Sequence, residues 1–268
     1  MQRGQLNASH FCGCHSFPPR LWRCSSGSGR LRHETRCPDA AYCGSFSHHS
    51  RSTTHNTRPH LCFKISRLTQ VGMNEPSRSD FAMLQKTCAE AAKARPFKFS
   101  KLDLESVRCF FFADSSFANN LDKSSQMGFV ILLVDKYGHC CLLEWNSLKL
   151  RRITRSTLAA EVLAFCQAFD AAQFHAHRFE ELTGYKVPII GLTDCKSLFD
   201  MIVSTTEKRL LVDMAALRQA HGSSALSATG FIVSSKNAAD PFTKEAECPV
   251  FDRIVDDGMM NIVIDELV

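Results

Sequence analysis

No stretch of this chain approaches the roughly 18 uninterrupted apolar residues that a membrane span needs. The longest apolar runs, such as Phe129 to Val134, are the length of a strand. No membrane partner is expected. A secretory leader and the loop-dense cysteine spacing of a secreted scaffold are also missing, although the chain has 13 Cys. Cys109, Cys166 and Cys195 fall in apolar or helical runs, and Cys140 and Cys141 are adjacent. The expectation is free thiols in a reducing, intracellular compartment, cytoplasmic or nuclear. Trp is scarce too, with two in the chain. Trp22 and Trp145 suggest no stacking platform for bases, and Trp145 reads as core.

Lysine is absent from residues 1–60. That segment has eight Arg against one Glu and one Asp, a charge of +6. The whole chain carries +5, so the remainder sums to −1. The basic excess is therefore no evidence that the rest of the chain binds nucleic acid. Seven of the 11 His lie in the same segment. Residues 1–75 lack hydrophobic periodicity and read as a disordered basic extension. Other readings stay open. His10, Cys12, Cys14, His15, Cys24, Cys37 and Cys43 offer zinc ligands, but without a Cys-x-x-Cys pair and a matching second pair. An Arg-rich, Ser-rich, acid-poor stretch also suits an organelle (mitochondrial or other) transit peptide, or an arm touching phosphates.

From Asp80 the pattern changes. Phe81, Leu84, Cys88 and Ala91 recur at helical spacing, predicting an amphipathic connector helix within 76–100 that ends before Pro96. Val107–Ala113, Gly128–Val134 and His139–Trp145 read as strands, the last two joined by an Asp135-Lys136-Tyr137-Gly138 turn. Thr157–Phe174 reads as a helix with Ser156 at its N-cap. Val187–Thr193 is a fourth strand. Lys196–Val203 and Arg209–Ala220 are helices, and Thr229–Val233 is a fifth strand. Pro241 opens a last short helix. Three strands in a meander followed by crossover helices predict an α/β domain over 101–250. It would have a mixed five-stranded sheet with helices on both faces and a tail at 251–268.

Four carboxylates stand out by position. Asp114 ends the first strand, where it either terminates the apolar run or serves a site. Glu161 lies three residues after Leu158 and four before Phe165, so it shares their helix face. It is either buried there or escapes to solvent at the edge. Asp194 ends the fourth strand, and strand C-termini line the ligand crevice of open α/β sheets. It could equally cap the next helix. Asp240 precedes Pro241 and has the position of an ordinary N-cap. Gathered at one sheet edge, four carboxylates repel each other and need cations. Hard oxygen donors suit Mg²⁺ or Mn²⁺. Two such ions ~4 Å apart would activate a water and stabilise a leaving 3′ oxygen.

The residues around these carboxylates carry a resemblance. Phe112-Ala113-Asp114-Ser115-Ser116-Phe117-Ala118-Asn119-Asn120 resembles the first-strand motif of copia-type retrotransposon ribonuclease H domains. Arg155-Ser156-Thr157-Leu158-Ala159-Ala160-Glu161 is similar to their helix motif. Leu192-Thr193-Asp194-Cys195-Lys196-Ser197-Leu198 is similar to their third. Ser235-Lys236-Asn237-Ala238-Ala239-Asp240-Pro241-Phe242-Thr243-Lys244 is similar to their closing motif. Each is short, but four in order over residues 80–245 are specific. The resemblance implies a ribonuclease H-like fold, with Asp114, Glu161, Asp194 and Asp240 as catalytic residues holding two Mg²⁺ or Mn²⁺ ions. It also implies hydrolysis of the RNA strand of an RNA–DNA hybrid. It departs where relatives carry His between the third and fourth motifs. Here Glu207-Lys208-Arg209-Leu210 stands instead, and the nearest His is His221. The reverse transcriptase and integrase of such polyproteins, expected as partners, have no counterpart in this sequence. That leaves a second reading open: a catalytically silent remnant that binds nucleic acid or another partner. Another nuclease or integrase of the same superfold is disfavoured by strand order and the closing Ala-Asp.

A hybrid would be held by its phosphates and recognised by its 2′-hydroxyls. Ser115, Ser116 and Asn119 beside Asp114, Arg152 and Arg155 before the helix, and Asn237 are the candidate contacts. Lys149 and Arg151 flank the same cluster. The Arg cluster could equally be a solvated loop, and Asn237 a turn cap.

Overall fold

In the computed structural model, the run Phe110-Phe111-Phe112 lies in the middle of a mixed sheet, and both of its faces are covered. The structure describes residues 58–71, 76–93, 96–203, 210–261, 264 and 266–268. The extension expected to be disordered lies mostly outside these residues, as do all seven candidate zinc ligands.

Among the described residues six strands are present: β1 (Arg108–Ser116), β2 (Gln126–Val134), β3 (Cys140–Lys149), β4 (Ile189–Thr193), β5 (Ala228–Phe231) and the two-residue β6 (Glu266–Leu267). They lie in the order β3-β2-β1-β4-β5-β6. β1, β2 and β3 form an antiparallel meander, while β4 pairs parallel to β1 and β5 parallel to β4. β6 closes the far edge antiparallel to β5. The expected mixed five-stranded sheet is therefore present, with a short sixth strand added. Its order and directions are those of a ribonuclease H-like fold.

The helices are α1 (Cys62–Val71), α2 (Arg78–Ala91), α3 (Thr157–Thr183), α4 (Lys196–Val203), α5 (Leu211–Gly222) and α6 (Pro249–Asp257). Strand residues alternate between faces. Cys109, Phe111 and Ala113 pack with α3, α4 and α5, whereas Phe110 and Phe112 pack with Cys62 of α1 and with Phe251, Ile254 and Val255 of α6. Phe111 and Phe165 meet edge to face with centroids 4.8 Å apart. Gly191 makes room for them, since a Cβ there would lie 2.4 Å from Phe111 Cζ and 2.5 Å from Phe165 Cζ. This contact sets the height of α3 over the sheet. Ser156 caps α3 by accepting from the Ala159 N–H at 3.1 Å, as expected. The helix runs on past the predicted Phe174 to Thr183, where Gly184 stops it in the left-handed region at φ 76°.

Three differences have physical causes. A ten-residue helix, α1, lies inside the stretch expected to be unstructured. Its Cys62, Phe63 and Ile65 are buried, and tertiary contacts hold it in place. Gln126 Nε2 donates to Ser66 Oγ at 2.8 Å, and Lys64 pairs with Glu90 of α2 at 2.6 Å. α6 falls in the stretch read as a tail, and its Phe251, Ile254 and Val255 are core. The helix expected at Pro241 is a single 3-10 turn, Asp240–Phe242. The eight cysteines among the described residues are free thiols, and Cys62, Cys109, Cys140 and Cys248 are buried.

Candidate functional site

The parallel pairing of β1 with β4 decides where the first two aspartates meet. Phe112 is registered with Leu192, so Asp114 and Asp194, each two residues further on, emerge at the same sheet edge. The connection after β5 returns to that edge and delivers Asp240 in its 3-10 turn. Carboxylate oxygens of Asp114, Asp194 and Asp240 all lie within 4.8 Å of one another. Glu161 lies outside this trio. It is buried on α3, 6% exposed, and close enough to feel the charges of Asp114 and Asp194. The helix-face expectation for Glu161 holds, and its solvent-escape alternative does not.

Gly128 is registered opposite Asp114 on β2. A Cβ there would lie 2.5 Å from Phe242 Cβ and 3.0 Å from Thr243 Cγ2. Its absence lets the 242–243 backbone close on the sheet. Thr243 can then donate its hydroxyl to Asp114 Oδ2. Ser147 Oγ holds the same segment by donating to the Phe242 carbonyl.

Burial dominates the electrostatics. It pushes Asp114 up to about 7, with the Thr243 hydroxyl opposing and the charges of Asp240 and Asp194 adding. Burial likewise pushes Glu161 up to about 9, reinforced by Asp114 and opposed by Ser115. Asp240 is raised by burial against the pull of Lys244. Lys244 Nζ pairs with Asp240 Oδ2 at 2.9 Å. Burial lowers Lys244, but the ion pair outweighs it and its affinity for the proton is raised. The N-cap of the turn is Ala239, Asp240 being its first residue, and Asp240 Oδ1 is buried without a hydrogen-bond partner. The N-cap alternative for Asp240 therefore fails. An orphaned carboxylate oxygen beside two further carboxylates is a set of hard donors suited to a divalent cation.

The expected substrate residues divide. Ser115 and Ser116 end β1 half-buried at this edge, and Asn119 is exposed just beyond. Arg152 and Arg155 are exposed, and Arg152 leans on Asp213 of α5 at 3.4 Å. Asn237 is a correction. It is fully buried, with its carboxamide engaged inside the protein, and has no surface to offer a substrate. Thr243 and Lys244 were not singled out for a role from sequence. Their positions three and four residues after Asp240 place them on the same turn, and that spacing was the available signal.

No family model matches the chain, and no curated protein does. Among solved structures it is similar to LC11-RNase H1, a protein isolated from compost by a metagenomic approach and crystallised with an RNA/DNA hybrid. The identity is 16% and the TM-score 0.39, over 52% of this chain and 96% of that one. RNase H1 of Halobacterium salinarum matches at 15% identity and TM-score 0.36, over 51% and 92%. The foamy virus RNase H domain matches at 14% and 0.35, over 57% and 95%. Such values assign neither family nor activity. The fold rests on strand order and direction, and the site on its own geometry.

Proposed function

We propose that this chain is a divalent-metal-dependent endonuclease that hydrolyses the RNA strand of RNA–DNA hybrids, derived from a copia-type retrotransposon polyprotein. The observation that supports the reading best is the meeting of three aspartates within 4.8 Å at the sheet edge, each inside a motif similar to those of that family. Asp114, Asp194 and Asp240, with Glu161 above them, would hold Mg²⁺ or Mn²⁺. A bound ion would activate water and stabilise the leaving 3′ oxygen. Two ions are proposed, from the number of oxygen donors.

The protein's own part is to supply oxygen donors and to keep them rigid. Burial of Asp114 and Glu161 makes their ionised forms costly without a cation. Lys244 offsets part of the charge of Asp240. Ser115, Ser116 and Asn119 are proposed to contact the hybrid near the scissile bond, and Arg152 and Arg155 its phosphates. Reverse transcriptase and integrase of a parent element are the proposed partners.

The test is to incubate the full chain with a labelled RNA–DNA hybrid in Mg²⁺, in Mn²⁺ and in chelator. Metal-dependent cutting of the RNA strand alone, lost in Asp114→Asn and Asp194→Asn, is expected. A folded protein that cuts nothing in either metal would sink the proposal.

A further inference from the structure

Asn237 touches all three chain segments that carry the aspartates. Its Nδ2 donates to the Ala113 carbonyl at 3.1 Å, one residue before Asp114. The same Nδ2 donates to Asp194 Oδ1 at 2.9 Å. Its Oδ1 accepts from the Ala239 N–H at 3.1 Å, one residue before Asp240. Its backbone carbonyl accepts from the Asp240 N–H at 3.2 Å. The side chain has no solvent exposure, so no water competes for these bonds.

A carboxamide is the group this position needs. Two acceptors face one end and an N–H faces the other, so only one amide orientation satisfies all three. A flipped amide would set its oxygen against the Asp194 carboxylate and the Ala113 carbonyl. An Asp could not donate, and an apolar side chain could neither donate nor accept. The bond to Asp194 engages one of its two carboxylate oxygens. Ligating carboxylates are commonly held by such outer hydrogen bonds, and losing one typically costs about 10- to 100-fold in metal affinity.

We infer that Asn237 is the positioning residue of the site: its buried carboxamide ties the ends of β1 and β4 to the turn bearing Asp240 and so sets the spacing of the three aspartates. The inference rests on the metal-binding reading above. It is tested by calorimetric titration of Mn²⁺ into the full chain, its Asn237→Ala variant and its Asn237→Asp variant, with folding checked by circular dichroism. The Ala variant is expected to bind at least about tenfold more weakly. The Asp variant should bind more weakly still, because it adds a like charge beside Asp194. A folded wild type that binds no Mn²⁺ overturns the metal-binding reading. A wild type that binds, together with a folded Ala variant of equal affinity, overturns this inference alone. Where the variants do not fold, the wild type decides by nitrogen-15 NMR. The Asn237 carboxamide signals should exchange slowly and shift as Mg²⁺ is added. Signals that stay fixed while Mg²⁺ saturates the site overturn the inference.

Discussion

The hydroxyl of Thr243 donates to the carboxylate of Asp114 across 129 residues of chain. The bond exists because Gly128, opposite Asp114 in the sheet, has no side chain to hold the closing segment away. It opposes the burial that raises Asp114.

Replacing that hydroxyl by a methyl group of equal bulk isolates its contribution. Thr243→Val keeps the packing of a fully buried residue and removes the donor. The expected outcome is weaker Mn²⁺ binding at pH 7, by about tenfold, and a metal dependence displaced to higher pH, where Asp114 ionises. Unchanged binding in the folded variant would show that the hydroxyl is incidental.

Stability without metal should fall as pH rises. Asp114 and Glu161 have folded-state pKa values raised to about 7 and about 9. Well below the ordinary carboxylate range, at about pH 2, both groups are protonated in either state. Above their unfolded values, ionisation stabilises the unfolded chain first, so stability is lost until pH passes the folded values. The melting temperature in chelator should therefore decline between about pH 4 and pH 9. Mg²⁺ should raise it more at pH 8 than at pH 5, because the cation binds the ionised form. A melting temperature that is flat across this range, or that rises, would contradict the raised values.

Gly191→Ala should destabilise the fold by about 1–3 kcal/mol, the usual cost of overpacking. The added methyl meets two rings that are themselves fully buried, so neither can swing aside. Urea unfolding measures the loss, and a variant as stable as wild type would mean that the Phe111–Phe165 pair is looser than it stands here.

Deleting residues 1–75 removes α1 along with the extension. Leu61, Cys62, Phe63 and Ile65 are buried, and each large apolar side chain contributes about 1.5–3 kcal/mol. A chain starting at 76 should unfold at a markedly lower urea midpoint than one starting at 58. Equal midpoints would mean that α1 merely rests on the sheet.

Asp194 was legible because it follows the apolar run of β4, and Asp114 because the apolar run of β1 stops there, although the strand itself continues to Ser116. Glu161 was legible from its spacing to Phe165. The bridging role of Asn237 was not, since it depends on three segments that meet only after folding. The same holds for α1, whose apolar residues meet their partners only in the folded protein. At Asp240 the N-cap pattern misled. Pro241 promised a helix, and the turn instead presents the carboxylate with an unpartnered oxygen.

The thiols buried in the sheet give the protein its own clock. Burial pushes Cys109 and Cys140 up to about 12, and thiolate is the form that reacts with an alkylating reagent. In the native state these two positions are silent. Their rate of modification counts how often the sheet comes apart. A carboxylate variant that loses cleavage but still resists the reagent has lost its chemistry and kept its architecture.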